Sequence, residues 1–235
     1  MKFIFGSALA VLFSVVGVVS LAQDATNLST VKQQTSYALG FQSGIGLKQN
    51  KVDIDLQAFS RGMQDSYNNK KPALTQLQMH QAMENLGKNL RAKQMQSLKT
   101  LKAKNLKISQ NFLAKNKQKP GVKVLASGIQ YKILSKGNGS KPKLSDRVTV
   151  DYEDALIDGT IFDSSYQRGK PATFVLSQVI QGWQDAMQAM PVGSTWMVYI
   201  PAKLAYGEDG IPGKIEPNQA LIFKIHLISI DKTNK

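Results

Sequence analysis

Five short stretches carry the residues whose types and spacing could do chemistry. They are residues 148–152 (Val-Thr-Val-Asp-Tyr), 158–163 (Asp-Gly-Thr-Ile-Phe-Asp), 179–183 (Val-Ile-Gln-Gly-Trp), 204–207 (Leu-Ala-Tyr-Gly) and 221–223 (Leu-Ile-Phe). Each sets an aromatic ring at or beside a strand end, a helix start or a glycine-containing turn. The residues that are missing narrow the chemistry. The chain has no cysteine and two histidines, His80 and His226. His80 falls in a helical pattern, and His226 has the opposite strand parity to Phe223. These positions argue against a histidine-based triad or a His/Cys metal site. There is no Gly-rich phosphate loop either.

The elements that must position these rings can be read from periodicity. Val148, Val150 and Tyr152 share one strand face, and Thr149, Asp151 and Glu153 share the other. Asp158-Gly159 is a two-residue hairpin signal, because Gly supplies the positive φ of a tight turn. Trp196, Val198 and Ile200 alternate with Met197 and Tyr199, and Leu221, Phe223, Ile225 and Leu227 form a last stripe. One short helix is expected between them, with Ser177 as a plausible N-cap and Val179, Trp183, Ala186 and Met190 on its stripe. This half reads as α+β, a curved antiparallel sheet wrapped around one helix.

In this order, the V-x-Y, DGTIFDSS, GKPATF, VIQGW, AYG and LIFKIHLI segments resemble an FKBP-type peptidyl-prolyl cis/trans isomerase, over roughly residues 124–231. The resemblance implies a proline pocket made by Tyr152, Phe162, Val179, Ile180, Trp183, Tyr206 and Phe223, with Trp183 as its floor. It makes Asp163 the polar wall, paired with Arg168 or the Tyr206 hydroxyl, and implies that the Ile180 N–H and Tyr206 hydroxyl donate to ligand carbonyls. Ile211 and Ile215 are expected on the loop that contacts residues flanking the proline. Trp196 is expected to be an ordinary core residue. An aromatic pocket without a nucleophile suits a reaction with no covalent step, and no metal or other cofactor is called for. Rapamycin-type macrolides are the implied inhibitors. Departures also stand out. Glu153-Asp154 replaces the family's usual Thr-Gly, Ala172 replaces an aromatic, Ile211 stands where some members have His, and Lys214 replaces an apolar loop residue.

Residues 1–22 begin with Lys2, run through an apolar core and end Ser-Leu-Ala, the pattern of a cleavable secretory signal. An uncleaved anchor helix is the alternative. Residues 23–73 read as a helical region, with one helix through Val31, Ala38, Leu39 and Ile45. A second runs through Leu56, Phe59, Met63 and Tyr67, capped by Asp53 or Asp55. Residues 74–118 read as one long basic helix opened by a Thr75-x-x-Gln78 capping box, its first half packed and its second half a projecting stalk. Residues 119–235 form the isomerase-like domain. The small residues Gly40, Gly44 and Gly46 either let two chains approach closely or end the first helix. This layout resembles the macrophage infectivity potentiator (Mip) subfamily, and so implies an α+β chain with an all-α N-terminal dimerisation domain and a long connecting helix. It also implies a homodimer, proline-containing polypeptide clients and a link to host infection. The expected location is the periplasm, outer membrane or surface of a Gram-negative cell, or release from it.

The net charge is +14, yet it is unevenly spread: residues 85–145 contain fifteen Lys or Arg and no Asp or Glu. Such a basic rod is either a solvated helix or a contact for anionic surfaces. Export and the lack of interleaved aromatics argue against nucleic acid. Two functions compete: an exported prolyl isomerase that assists folding, and a client-binding chaperone or surface-interaction protein with little turnover.

Overall fold

The computed structural model describes residues 28–231, so the expected signal segment lies outside the described residues. The chain divides into two compact units, one ending at Thr75 and the other beginning at Gln76. Among the described residues no helix is long and apolar enough to cross a membrane.

Among the described residues the first unit contains two helices. Helix α1, Val31–Gln49, opens with a capping box in which the Gln33 N–H donates to Thr30 Oγ1 at 3.2 Å and the Thr30 N–H donates to Gln33 Oε1 at 3.1 Å. It runs straight through Gly40, Gly44 and Gly46, so these glycines do not end it. A Cβ at any of the three would meet open space. Helix α2, Leu56–Tyr67, is capped by Asp55, whose carboxylate accepts from the Gln57 and Ala58 N–H groups. Neither helix buries a single residue. Val31, Tyr37, Leu39, Phe41, Leu56, Met63 and Tyr67 are each more than half exposed.

The second unit begins with α3, Gln76–Asn116, 41 residues long and hence about 60 Å. The second half of α3 is docked, not projecting: Asn105, Ser109 and Asn116 are buried, whereas residues 91–100 are exposed throughout. Polar residues on this half are the docking points. Asn105 Nδ2 donates to Glu216 Oε2 at 2.9 Å and to the Pro217 carbonyl at 3.0 Å. Ser109 Oγ donates to the Asn218 carbonyl and accepts from the Ala220 N–H, each at 2.8 Å. Asn116 pairs with Gln130, which in turn donates to the Leu113 carbonyl. Lys102 lies 3.6 Å from both Glu208 and Asp209, so part of the basic charge is answered within the chain.

Seven strands follow: β1 Val122–Val124, β2 Gln130–Ser135, β3 Arg147–Leu156, β4 Ile161–Ser164, β5 Ala172–Val175, β6 Thr195–Ile200 and β7 Leu221–Asp231. They form one antiparallel sheet in the order β1-β2-β6-β7-β3-β4, with β5 pairing the first part of β3. The 157–160 turn joins β3 to β4, with Gly159 at φ +91°. Inward-facing residues alternate as the sequence requires: Val148, Val150, Tyr152 and Asp154 on β3, Trp196, Val198 and Ile200 on β6, and Leu221, Phe223, Ile225 and Leu227 on β7. Helix α4, Gln181–Ala189, packs Trp183, Ala186 and Met187 against this face.

Ser177 does not cap α4. The backbone bonds from Leu176 and Ser177 to the Asp146 and Leu144 carbonyls hold this segment to the preceding loop in a single 3-10 turn. The helix therefore starts later, with Ile180 at its N-cap and no side-chain cap. Gly182 sits where α4 crosses β6. A Cβ there would lie 2.4 Å from Ile200 Cγ2, so only glycine permits this approach.

Candidate active site

The rings cluster where α4, β3, β5, β7 and the 202–220 loop meet. Trp183 is the hub: its ring centroid lies 5.2 Å from Tyr152, 5.5 Å from Phe174 and 5.7 Å from Phe223, with the Tyr152 and Phe223 pairs edge-on. Above it opens a cavity of about 300 Å³, lined by Tyr152, Asp154, Asp163, Ala172, Phe174, Gln178, Val179, Ile180, Trp183, Tyr206 and Phe223. That volume is at the small end for ligand pockets.

Most of the expected residues are brought together here. Phe162 stands behind the wall, edge-on to Phe223 at 6.5 Å. Ile211 and Ile215 lie on the loop that follows Tyr206. Reciprocal backbone hydrogen bonds between them close a tight loop, which leaves Ile215 buried in the core at 3% exposure and Ile211 packed against that core. Neither lines the cavity. Trp196 is buried, stacked on Tyr131 at 4.3 Å, away from the cavity.

Asp163 has two side-chain partners, one of which was not foreseen. Arg168 Nη1 donates to Asp163 Oδ1, and the Tyr152 hydroxyl, not that of Tyr206, donates to Asp163 Oδ2 at 2.9 Å. Arg168 Nη2 closes the triangle by donating to the Tyr152 hydroxyl at 2.6 Å, and its guanidinium lies 5.1 Å from the tyrosine ring centroid. Burial opposes ionisation of Asp163, but the bonds from Tyr152 and Arg168, the arginine charge and the Ser164 N–H outweigh it. The carboxyl is held below its ordinary range. Burial raises the Tyr152 and Tyr206 hydroxyls, with Asp154 and Asp163 charges adding to the effect at Tyr206. Both tyrosines therefore stay protonated and able to donate. Neither the Tyr206 hydroxyl nor the Ile180 N–H has a partner among the described residues.

Four wall residues were not anticipated as site residues, one of them Ala172, which was noted only as a departure. Phe174 lies in the GKPATF segment, which pointed to the family without being assigned a role. Gln178 comes from the 3-10 turn that replaces the expected cap. Asp154 was noted only as a departure, although its parity with Val148, Val150 and Tyr152 already directs it inward. It is 7% exposed, and its Oδ1 is buried without a hydrogen-bond partner. Burial, reinforced by the Asp163 charge, pushes its carboxyl up to about 8.

An antiparallel sheet folded over one helix, with an aromatic cavity where they meet, is the architecture that the comparisons with known proteins place in a family. A family described as FKBP-type peptidyl-prolyl cis-trans isomerase matches residues 138–228, and one described as the domain amino terminal to it matches residues 32–133. The chain is 46% identical to "Peptidyl-prolyl cis-trans isomerase Mip" of Coxiella burnetii, over 90% of this chain and 92% of that protein. It is 48% identical to "Outer membrane protein MIP" of Legionella longbeachae, over 90% and 91%. The crystal structure of FkpA from Escherichia coli superposes with a TM-score of 0.75 at 30% identity, covering 86% of this chain and 98% of that one. The chain belongs to the FKBP-type peptidyl-prolyl cis/trans isomerases, in the group that includes Mip and FkpA.

Proposed function

We propose that the cavity over Trp183 is the site at which X-Pro bonds turn, and that the protein acts as an exported homodimer assisting the folding of envelope or secreted proteins. The observation that carries the first part is the ring cluster, in which three aromatic side chains surround Trp183 beneath a proline-sized opening. The barrier to rotation is about 18–20 kcal/mol because the amide loses resonance as it turns. The twisted amide is less dipolar than the planar one. Moving it from water into an aromatic cavity therefore penalises the planar ground state more. The Tyr206 hydroxyl and Ile180 N–H are free to hold substrate carbonyls in the twisted geometry. Asp163 moves no proton; bound by Tyr152 and Arg168, it fixes the polar wall of the site. Ile211 lies on the loop beside the opening, where it can meet residues flanking the proline, while Ile215 supports that loop from below.

Dimerisation is supported by the first unit, whose helices leave large apolar side chains uncovered and so have no core of their own in a single chain. The open space at Gly40 and Gly44 would admit a second backbone. Two linked sites would raise avidity for a client without any new contact. Export is supported by the apolar N-terminal segment and by the outer-membrane name of the Legionella relative.

The test is a protease-coupled isomerisation assay on an X-Pro peptide, comparing the chain from Gln23 onward with Tyr206→Phe and Asp163→Leu. Turnover inhibited by a rapamycin-type macrolide and reduced in both variants is expected. Undiminished turnover in both variants would move the site elsewhere. Light scattering at micromolar concentration should give twice the chain mass, and a monomer would remove the two-armed arrangement.

A further inference from the structure

One polar group in the wall of the cavity is buried, unpartnered among the described residues and without a role in the arrangement above. Asp154 faces inward from β3 and lines the cavity together with Asp163, Tyr206 and Phe223. It is 7% exposed, and its Oδ1 has no hydrogen-bond partner among the described residues. In register it stands opposite Asp163 on β4 and Phe223 on β7. Asp163 already has a full set of partners, namely Arg168, Tyr152 and the Ser164 N–H. A buried polar atom left unpartnered is costly, and it marks a position where a ligand can complete the bonding.

We propose that the Asp154 carboxyl is a further substrate-binding group of this isomerase, donating its proton to a carbonyl oxygen of the bound proline segment. The chemistry of the substrate sets the direction of that bond. The proline nitrogen carries no hydrogen, so the peptide around an X-Pro bond presents mainly carbonyl oxygens to the pocket. An ionised carboxylate can only accept, and would set a negative charge against those oxygens. A protonated carboxyl can donate, as the Tyr206 hydroxyl can.

The surroundings keep the proton on Asp154. Glu153 on its own strand and Asp163 on β4 are negative and favour the neutral form; Arg168 opposes them. Tyr206 approaches from the 202–220 loop and stays neutral. From β7 the facing residue is Phe223, and Lys224, the next residue, is in register with Glu153. The helix side offers Trp183 and Gln178, neither of which is charged. Burial adds the largest push, so the group loses its proton only near pH 8. Two carboxyls side by side are thus divided into one that stays ionised and one that stays neutral.

This inference rests on the cavity being the isomerase site, and its test separates the two ideas. The measurement is kcat/KM between pH 6 and pH 9.5 in a protease-free solvent-jump assay, for wild type, Asp154→Asn and Asp154→Gly. Wild type should be level at low pH and fall about tenfold through a midpoint near 8. Asp154→Asn, which keeps a neutral donor, should stay near the low-pH wild-type value throughout. Asp154→Gly should be level with pH but reduced about three- to tenfold, the effect of one lost hydrogen bond. A level wild-type profile, or the same fall in Asp154→Asn, overturns the proposal. So does an Asp154→Gly variant that matches wild type at pH 6.5. If the glycine variant does not fold, as judged by tryptophan fluorescence, the asparagine profile decides alone. Folded wild type without turnover even at pH 6–7 would instead remove the cavity as the isomerase site, and this inference with it.

Discussion

The Asp154→Asn substitution also probes the buried carboxyl through stability, independently of any substrate. In the unfolded chain this group loses its proton near the ordinary 3.8; in the folded protein it keeps the proton up to about 8. Between those values the folded state binds one more proton than the unfolded state, so stability must fall as pH rises. Each pH unit in this window is worth about 1.4 kcal/mol. From pH 5 to pH 8 the wild type should therefore lose about 3–4 kcal/mol relative to the variant, levelling off above pH 8. Taking the difference between the two proteins cancels every other titrating group. Urea unfolding followed by tryptophan fluorescence is the assay, because both tryptophans, Trp183 and Trp196, are buried in the core of the second unit. A difference that stays constant within about 0.5 kcal/mol over this range would show that Asp154 ionises as an ordinary carboxyl, and would refute the reasoning.

Other expectations follow from the same geometry. Gly182→Ala should destabilise the second unit by about 1–3 kcal/mol, because its Cβ would overlap the fully buried Ile200; unchanged urea unfolding would contradict this. Arg168→Met should raise the Asp163 carboxyl relative to wild type, since burial is then opposed by fewer bonds and no neighbouring cation. In wild type the same carboxyl stabilises the fold above its unfolded value and loses that contribution only as pH falls through its lower folded value, so carbon-13 titration of Asp163 should shift upward in the variant. Ser109→Ala strands the Ala220 N–H beneath α3; hydrogen exchange at that amide should accelerate at least about tenfold, and unchanged protection would mean that α3 does not hold the loop.

Much of the isomerase half was legible from pattern alone. Strict alternation in β3, β6 and β7 determined which side chains face the core, because a strand side chain can point only one of two ways. The same parity pointed Asp154 inward, although residue type suggested a rim position. Capping was legible where the cap is local, as at Asp55. It failed at Ser177, where backbone bonds to the Asp146 and Leu144 carbonyls, distant in sequence, override the local preference.

The sequence by itself determined the inward faces of β3, β6 and β7 and the absence of any cysteine nucleophile. Periodicity and composition are local properties, and these features depend on nothing else. Only the tertiary structure decided which half of α3 is docked, which tyrosine binds Asp163 and where Ile215 points. It alone showed that Asp154 meets no partner in the wall. The docking of α3 depends on atoms brought together from more than a hundred residues apart, as with Ser109 and Ala220, and the Asp163 pairing depends on the register of β4 against β3. Their energies come from buried hydrogen bonds and desolvation, which do not exist until the chain has closed.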